Sequence, residues 1–330
     1  MVTTLERSAL GDLRSQPQHR LAEVVDVLHE SAQGHRDVVV KASDLFMNFD
    51  EACLQIGNEA LPLQSWALSQ LGSKLGIPGN YLVKCREEAL ELLSINANFW
   101  LRQQSGHLML RLDGNEVRAV LSTRYQSVSN EEVASELARV LPPQTPVRFE
   151  LTATHFELQV IGDGDGTEDS LHGGLHVTNS EVGCSSVRIS SLLFRTICLN
   201  GMILGGQQFT WERRHIGRMA LQQEIRGEVD RLLGASTETL GQFRATARIH
   251  IEGPMEVFRR IVERFKLTVD QRDAIVLAHA NEPGSSLFHC LNAVTGAGNN
   301  PALPLERRRE LQEIGGRLLE LSEKGRRWLD

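Results

Sequence analysis

The stretch from Leu175 to Gly206 constrains this 330-residue chain more than any other. It opens with small hydrogen-bonding residues (Asn179, Ser180, Gly183, Ser185 and Ser186), continues as an apolar run broken by Arg188 and Arg195, and closes on the turn pair Asn200-Gly201. A strand that only fills a core has no use for so many hydroxyls and amides beside fixed positive charge. A surface that holds phosphate does, because backbone N–H groups, hydroxyls and guanidinium forks together satisfy its oxygens. The basic character runs on past this stretch. From Cys184 to Arg218 there are five arginines (Arg188, Arg195, Arg213, Arg214 and Arg218) against one acid, Glu212. In a chain of net charge −7 that contrast makes the segment the nucleic-acid candidate.

Composition narrows the setting. At 41% hydrophobic and 23% charged residues the chain has enough apolar surface for a packed core and is not of disordered type. Aromatic residues are only 5%, so a base-stacking platform would be small. No apolar run approaches the roughly 18 residues of a membrane span, and Met1 to Arg20 has no signal-peptide pattern, so no membrane partner is expected. The five cysteines (Cys53, Cys85, Cys184, Cys198 and Cys290) are odd in number and never spaced as CxxC. A reduced, cytoplasmic setting follows as the expectation.

Periodicity divides the chain into a partly helical leader (1–37), a core (38–218) and a helical C-terminal region (219–330). In the leader, Leu21, Val24, Val25 and Leu28 fall at helical spacing and Gly34 stops the helix; the leader is expected to be loosely attached. Residues 61–94 read as helix, glycine turn at Gly76, and a second helix from Pro78. That outline matches a DNA-reading pair, but Glu87, Glu88 and Glu91 make the second helix too acidic to face phosphates. Phe99 to Arg102, His107 to Leu112 and Glu116 to Ser122 are expected strands, followed by a helix, Glu132 to Val140, capped at Ser129. This β-β-β-α unit would show one exposed face with Arg102, Arg111, Arg118 and Arg124. Residues 147–161 form a further strand pair. The fold expected is therefore α+β: a central antiparallel sheet with a β-β-β-α unit, a helical N-terminal segment and a helical C-terminal region.

Tests for catalytic chemistry come out negative. The acidic loop Gly162 to Gly174 has Glu168 where a calcium loop requires glycine, and Gly173-Gly174 keeps His172 and His176 off a common helix face. No GxSxG, GxxxxGK[ST], HExxH or dinucleotide GxGxxG pattern occurs. No catalytic residue, metal or cofactor is expected. The candidate nucleic-acid residues are Arg188, Arg195, Arg213, Arg214 and Arg218 for the phosphates, with Ser185, Ser186 and Asn200 donating or orienting. Two alternatives stand beside this one: a metal- or thiol-dependent enzyme around Cys184 and His176, and an assembly protein whose amphipathic C-terminal helices oligomerise without nucleic acid.

Five segments occur in a fixed order: WALSQLGSKLGIPGNYL, LSTRYQSVSNEE, VTNSEVGCSSVRISSLLFRTICLNGMI, ERRHIG and LFHCLNAVTGAG. Together they resemble the phage/plasmid-like family, a group of phage- and plasmid-associated proteins whose shared domain has no assigned function. The resemblance runs from about Val38 to about Leu319. By element order alone, Phe99 to Leu141 is also similar to the core of single-strand annealing recombinases of the RecT and Redβ kind. That likeness implies a non-enzymatic, ATP-independent homo-oligomer that binds single-stranded nucleic acid in a basic groove, with annealing as a further step.

Overall fold

The computed structural model describes residues 19–164, 166, 171–195, 200–217 and 221–323. Its largest sheet is antiparallel throughout, in the order β1 (His19–Arg20), β8 (Pro146–Leu151), β9 (Phe156–Gly164), β10 (Leu171–Asn179), β11 (Val187–Arg195) and β12 (Asn200–Ile203). A further strand, β13 (Thr210–Arg213), also pairs with β11. Because side chains alternate along a strand, each strand contributes to two different layers. On one face Phe156, Leu158, Leu175, Val177, Val187 and Ile189 meet three helices: α1 (Leu21–Ala32), α5 (Asn130–Val140) and α6 (Leu221–Ala245). The other face is polar at Glu157, Gln159 and Arg188, and α10 (Leu305–Glu323) lies across it. Gly316 permits this approach, since a Cβ there would collide with the Ile203 carbonyl oxygen.

The C-terminal helices α7 (Pro254–Phe265), α8 (Val269–Asn281) and α9 (Leu287–Ala297) close an apolar cluster with Leu193, Met202 and Leu204 of the sheet region. Two three-stranded antiparallel sheets complete the molecule. One is ordered β2 (His35–Lys41), β6 (His107–Asp113), β7 (Glu116–Ser122); the other β3 (Leu45–Met47), β4 (Cys53–Ile56), β5 (Glu59–Pro62). Both pack on α2 (Ser65–Leu75), α3 (Gly79–Glu88) and α4 (Leu90–Leu101) through a shared core. The α+β class and the central antiparallel sheet are as expected. Among the described residues, no helix is long and apolar enough to cross a membrane.

Several local expectations change. Phe99 to Arg102 is not a strand: Leu93, Ala97 and Leu101, spaced by four, are buried, so α4 continues to Leu101 and the aromatic pair Phe99-Trp100 sits on its outer side. The β-β-β-α unit is accordingly not consecutive; its third strand is β2, which pairs with β6 from earlier in the chain. Leu61 and Pro62 belong to β5 rather than to a helix. The segment from His19 is firmly held, with Leu21 and Val24 fully buried and β2 hydrogen-bonded along β6. Arg111 is 7% exposed and gripped by both oxygens of Asp37, and Arg118 reaches the buried Glu181, so neither faces solvent. Of the acidic loop, Asp165, Glu168 and Asp169 lie outside the described residues.

Candidate nucleic-acid interface

The arginines of the basic segment do not line one groove. Arg188 and Arg195 are an odd number of residues apart on β11, which sends them to opposite faces of the sheet. Arg188 meets Glu313 of α10 at 3.4 Å. Arg195 is buried, with one guanidinium nitrogen 2.6 Å from each carboxylate oxygen of Glu282 and its cation 5.3 Å from the Phe288 ring centroid. Arg213 lies 3.9 Å from Glu224. Asn200 is buried, donating to the Asn292 carbonyl at 3.3 Å and accepting from Asn299 at 3.0 Å. These four side chains hold elements together. Arg218 lies outside the described residues.

Arg214, Ser185 and Ser186 do converge, and on a different set of neighbours. They line a cavity of about 420 Å³ together with Lys74, Leu121, Ser122, Arg124, Tyr125, Gly183, His215 and Ile216. No acid lines it. Lys74, Arg124 and Arg214 are exposed, and among the described residues none of them has a carboxylate within ion-pair distance. Four of the five segments quoted above meet here. Lys74 is in the last turn of α2; Leu121 and Ser122 end β7, with Arg124 and Tyr125 just after it; Gly183 to Ser186 lie in the turn between β10 and β11; Arg214 to Ile216 follow β13.

Local hydrogen bonds explain the convergence. Trp66 and Gln70 of α2 both donate to the Val182 carbonyl, at 3.0 and 2.8 Å, pinning the 180–184 turn to that helix. Gly183 takes φ +76°, open to glycine, and a Cβ there would stand 2.8 Å from Leu121 Cδ2. The Gln126 amide donates to the His215 carbonyl at 2.8 Å, and Tyr125 bridges to Ile216, so the two loops are zipped together. Tyr125 donates its hydroxyl to the Ser180 carbonyl at 2.9 Å. Beneath the turn, Glu181 accepts from Arg118 and from the Asn130 amide. Burial works to raise the Glu181 carboxyl pKa, but Arg118, the Asn130 amide and the His35 and Arg111 charges outweigh it and hold it below the usual range.

His215 forms the floor. It is 5% exposed and stacks on Tyr125 at 5.0 Å between centroids. Its Nδ1 lies 3.3 Å from the Gln126 carbonyl, which makes Nδ1 the protonated nitrogen of the neutral ring. Nε2, the remaining acceptor, is buried with no hydrogen-bond partner in proper geometry, and so is the Ser185 hydroxyl. Burial holds the His215 pKa below the ordinary histidine value, against the backbone groups of Gln126 and Ser185. Buried polar atoms left open beside a cavity mark places where a ligand or water completes the bonding. The chemistry on offer is anion and hydrogen-bond recognition.

Neither member of the pair named for a thiol or metal enzyme lines this cavity, although Cys184 packs behind it against Leu121 and Tyr125. His176 is buried, its Nε2 3.4 Å from Glu157, which is in turn held 3.0 Å from Arg309. Burial pushes the Cys184 thiol up to about 11, so it is a poor nucleophile at neutral pH. The neighbouring cavity that His176 lines, about 420 Å³, mixes Arg188, Arg307 and Arg309 with Glu212, Glu306, Glu310 and Glu313. There the charges answer one another. Among the described residues, no group of three or more His, Cys, Asp or Glu side chains is placed to hold a metal ion.

Sequence reading missed Lys74, Tyr125 and His215 as members of the site, and placed Arg124 on a sheet face. Charge counted along the chain cannot register contributions from loops far apart in sequence. A model of a domain of unknown function, DUF932, matches residues 117–302, a span that holds every lining residue except Lys74. No curated protein and no solved structure matches the chain.

Proposed function

For a chain that belongs to the DUF932 family, whose domain has no assigned function, we propose binding of single-stranded nucleic acid at the cavity between Lys74, Arg124 and Arg214. One observation carries the reading: three exposed cations, free of carboxylate partners among the described residues, ring a cavity with no acid among its described lining residues, where His215 Nε2 and Ser185 Oγ find no hydrogen-bond partner among the described residues. Such positive charge in an acidic chain attracts phosphate. A cavity of about 420 Å³ takes a nucleotide-sized group and not a duplex. Ile216, 62% exposed, and the Tyr125–His215 stack offer apolar and aromatic contact to an unstacked base.

Of the residues expected from sequence, Arg214, Ser185 and Ser186 belong to this interface; Arg188, Arg195, Arg213 and Asn200 act in the scaffold that shapes it. The resemblance to phage- and plasmid-associated proteins favours a nucleic-acid ligand. Strand annealing forms no part of the proposal, because the consecutive β-β-β-α order that suggested it is not the order of this chain.

Fluorescence anisotropy with a short labelled oligonucleotide tests the reading. Three phosphate contacts on a single strand give a log–log salt slope of about 2. Combining Arg124→Glu with Arg214→Glu reverses two of the three charges and lowers affinity at least tenfold, while Arg272→Glu, an exposed site on α8, leaves it unchanged. Wild-type protein with no salt-dependent signal, or a double variant that binds like wild type, would overturn it.

A further inference from the structure

We propose that the outer face of α4 is a self-association surface that takes a second copy of this chain in antiparallel, two-fold contact. α4 buries Leu93, Ala97 and Leu101 inward. Its opposite side leaves Leu92 48%, Ile95 48% and Phe99 57% exposed, a stripe spaced by three and four residues. Trp100 stands beside the stripe, its ring edge-on to Phe99 at 5.1 Å. Isolated exposed apolar side chains are ordinary on a protein surface; a full stripe on one helix marks a contact.

The flanking charges say what covers it. Glu91 begins α4 and Arg102, still in helical conformation, follows its end; both are exposed and neither has an ion-pair partner among the described residues. At about 100° per residue they fall on the same flank of the stripe. A two-fold axis across antiparallel helices brings like flanks together, so Glu91 of each copy meets Arg102 of the other. A parallel two-fold pair would bring unlike flanks together and leave Glu91 and Arg102 about 16 Å apart along the axis, so the two charges could not meet.

The same register settles the apolar contacts. With Glu91 level with Arg102, Phe99 of one copy enters between Leu92 and Ile95 of the other, and Ile95 enters between Ile95 and Phe99. The stripe is self-complementary without a gap. A contact built on one helix of this length lies at the small end of specific interfaces, roughly 1,200 Å² or less, so association in the micromolar range is expected.

Sedimentation velocity on the full chain, from about 1 to about 100 µM, reads this directly. Wild type shifts from monomer toward dimer across the series. Combining Ile95→Glu with Phe99→Glu keeps the chain monomeric, with an unchanged circular dichroism spectrum because both positions are already exposed. Glu91→Arg alone and Arg102→Glu alone each weaken association about tenfold. The two together restore it, since the reversed charges again meet opposites. Wild type that stays monomeric throughout, association that survives Ile95→Glu/Phe99→Glu, or a double charge reversal that fails to restore pairing would each overturn the proposal. Dimerisation of a chain that binds no oligonucleotide would leave this inference standing and sink the nucleic-acid reading alone.

Discussion

Arg195 and Arg214 belong to one basic segment and do different work. Arg195 is desolvated against Glu282 and Phe288, so removing it takes a guanidinium away from the Glu282 carboxylate inside a packed seam. Arg195→Ala is expected to cost about 2 kcal/mol, below the usual figure for a buried pair because Glu282 keeps some contact with water. Urea unfolding measures this. An Arg214→Ala variant, exposed and unpaired, should unfold like wild type. Protonation divides residues in the same way. His35, His155 and His215 all have pKa values held down, chiefly by burial. The unfolded chain therefore binds these protons more readily than the folded one. Stability is full above the ordinary histidine value of 6.5 and is lost as pH falls through it toward the lower folded values. Unfolding free energy measured at about pH 7.5 and about pH 5.5 should be smaller at the lower pH; an increase on acidification would contradict the burial argument.

At the scale of elements, legibility followed local chemistry. The cap of α5 was readable because Ser129 and Glu132 satisfy each other's backbone partners, and the structure contains that reciprocal pair. Ser129→Ala should destabilise by about 1 kcal/mol in thermal unfolding. Phe99 and Trp100 misled because aromatic residues favour strands, while the deciding signal was the four-residue spacing of Leu93, Ala97 and Leu101 one face away. Of β10 and β11 the apolar run broken by Arg188 and Arg195 was foreseeable, though not their pairing as strands. The polar seam under α10 was not, since Glu157, Arg188 and Gln159 find partners more than a hundred residues away in Arg309, Glu313 and Gln312. Gly316 is where that docking is tightest. Gly316→Ala forces backbone apart and should cost on the order of 2–3 kcal/mol, a far larger effect than alanine normally has in a helix. Little change in unfolding free energy would mean that α10 does not lie against β12 as described.

For the whole molecule, the basic segment was legible as a sum and not as an arrangement. Five positive charges in one segment suggested a groove; the fold spends three of the four described ones on carboxylates of α6, of α10 and of Glu282 just past α8, and leaves Arg214 to join Lys74 and Arg124. What makes the cavity distinctive is the absence of an acid among its described lining residues, which no linear count reveals. The convergence of four separated segments at one place was equally hidden until the strands were paired. The central claim is thus one of location, that single-stranded nucleic acid sits over the Tyr125–His215 floor. Photocrosslinking with an oligonucleotide carrying a thio-substituted base, followed by mass spectrometry of the peptides, tests it most directly. The account predicts adducts within 121–126 and 214–217, lost on Arg124→Glu/Arg214→Glu. Adducts confined to the α10 seam around 306–313, or no adduct at low salt, would contradict it.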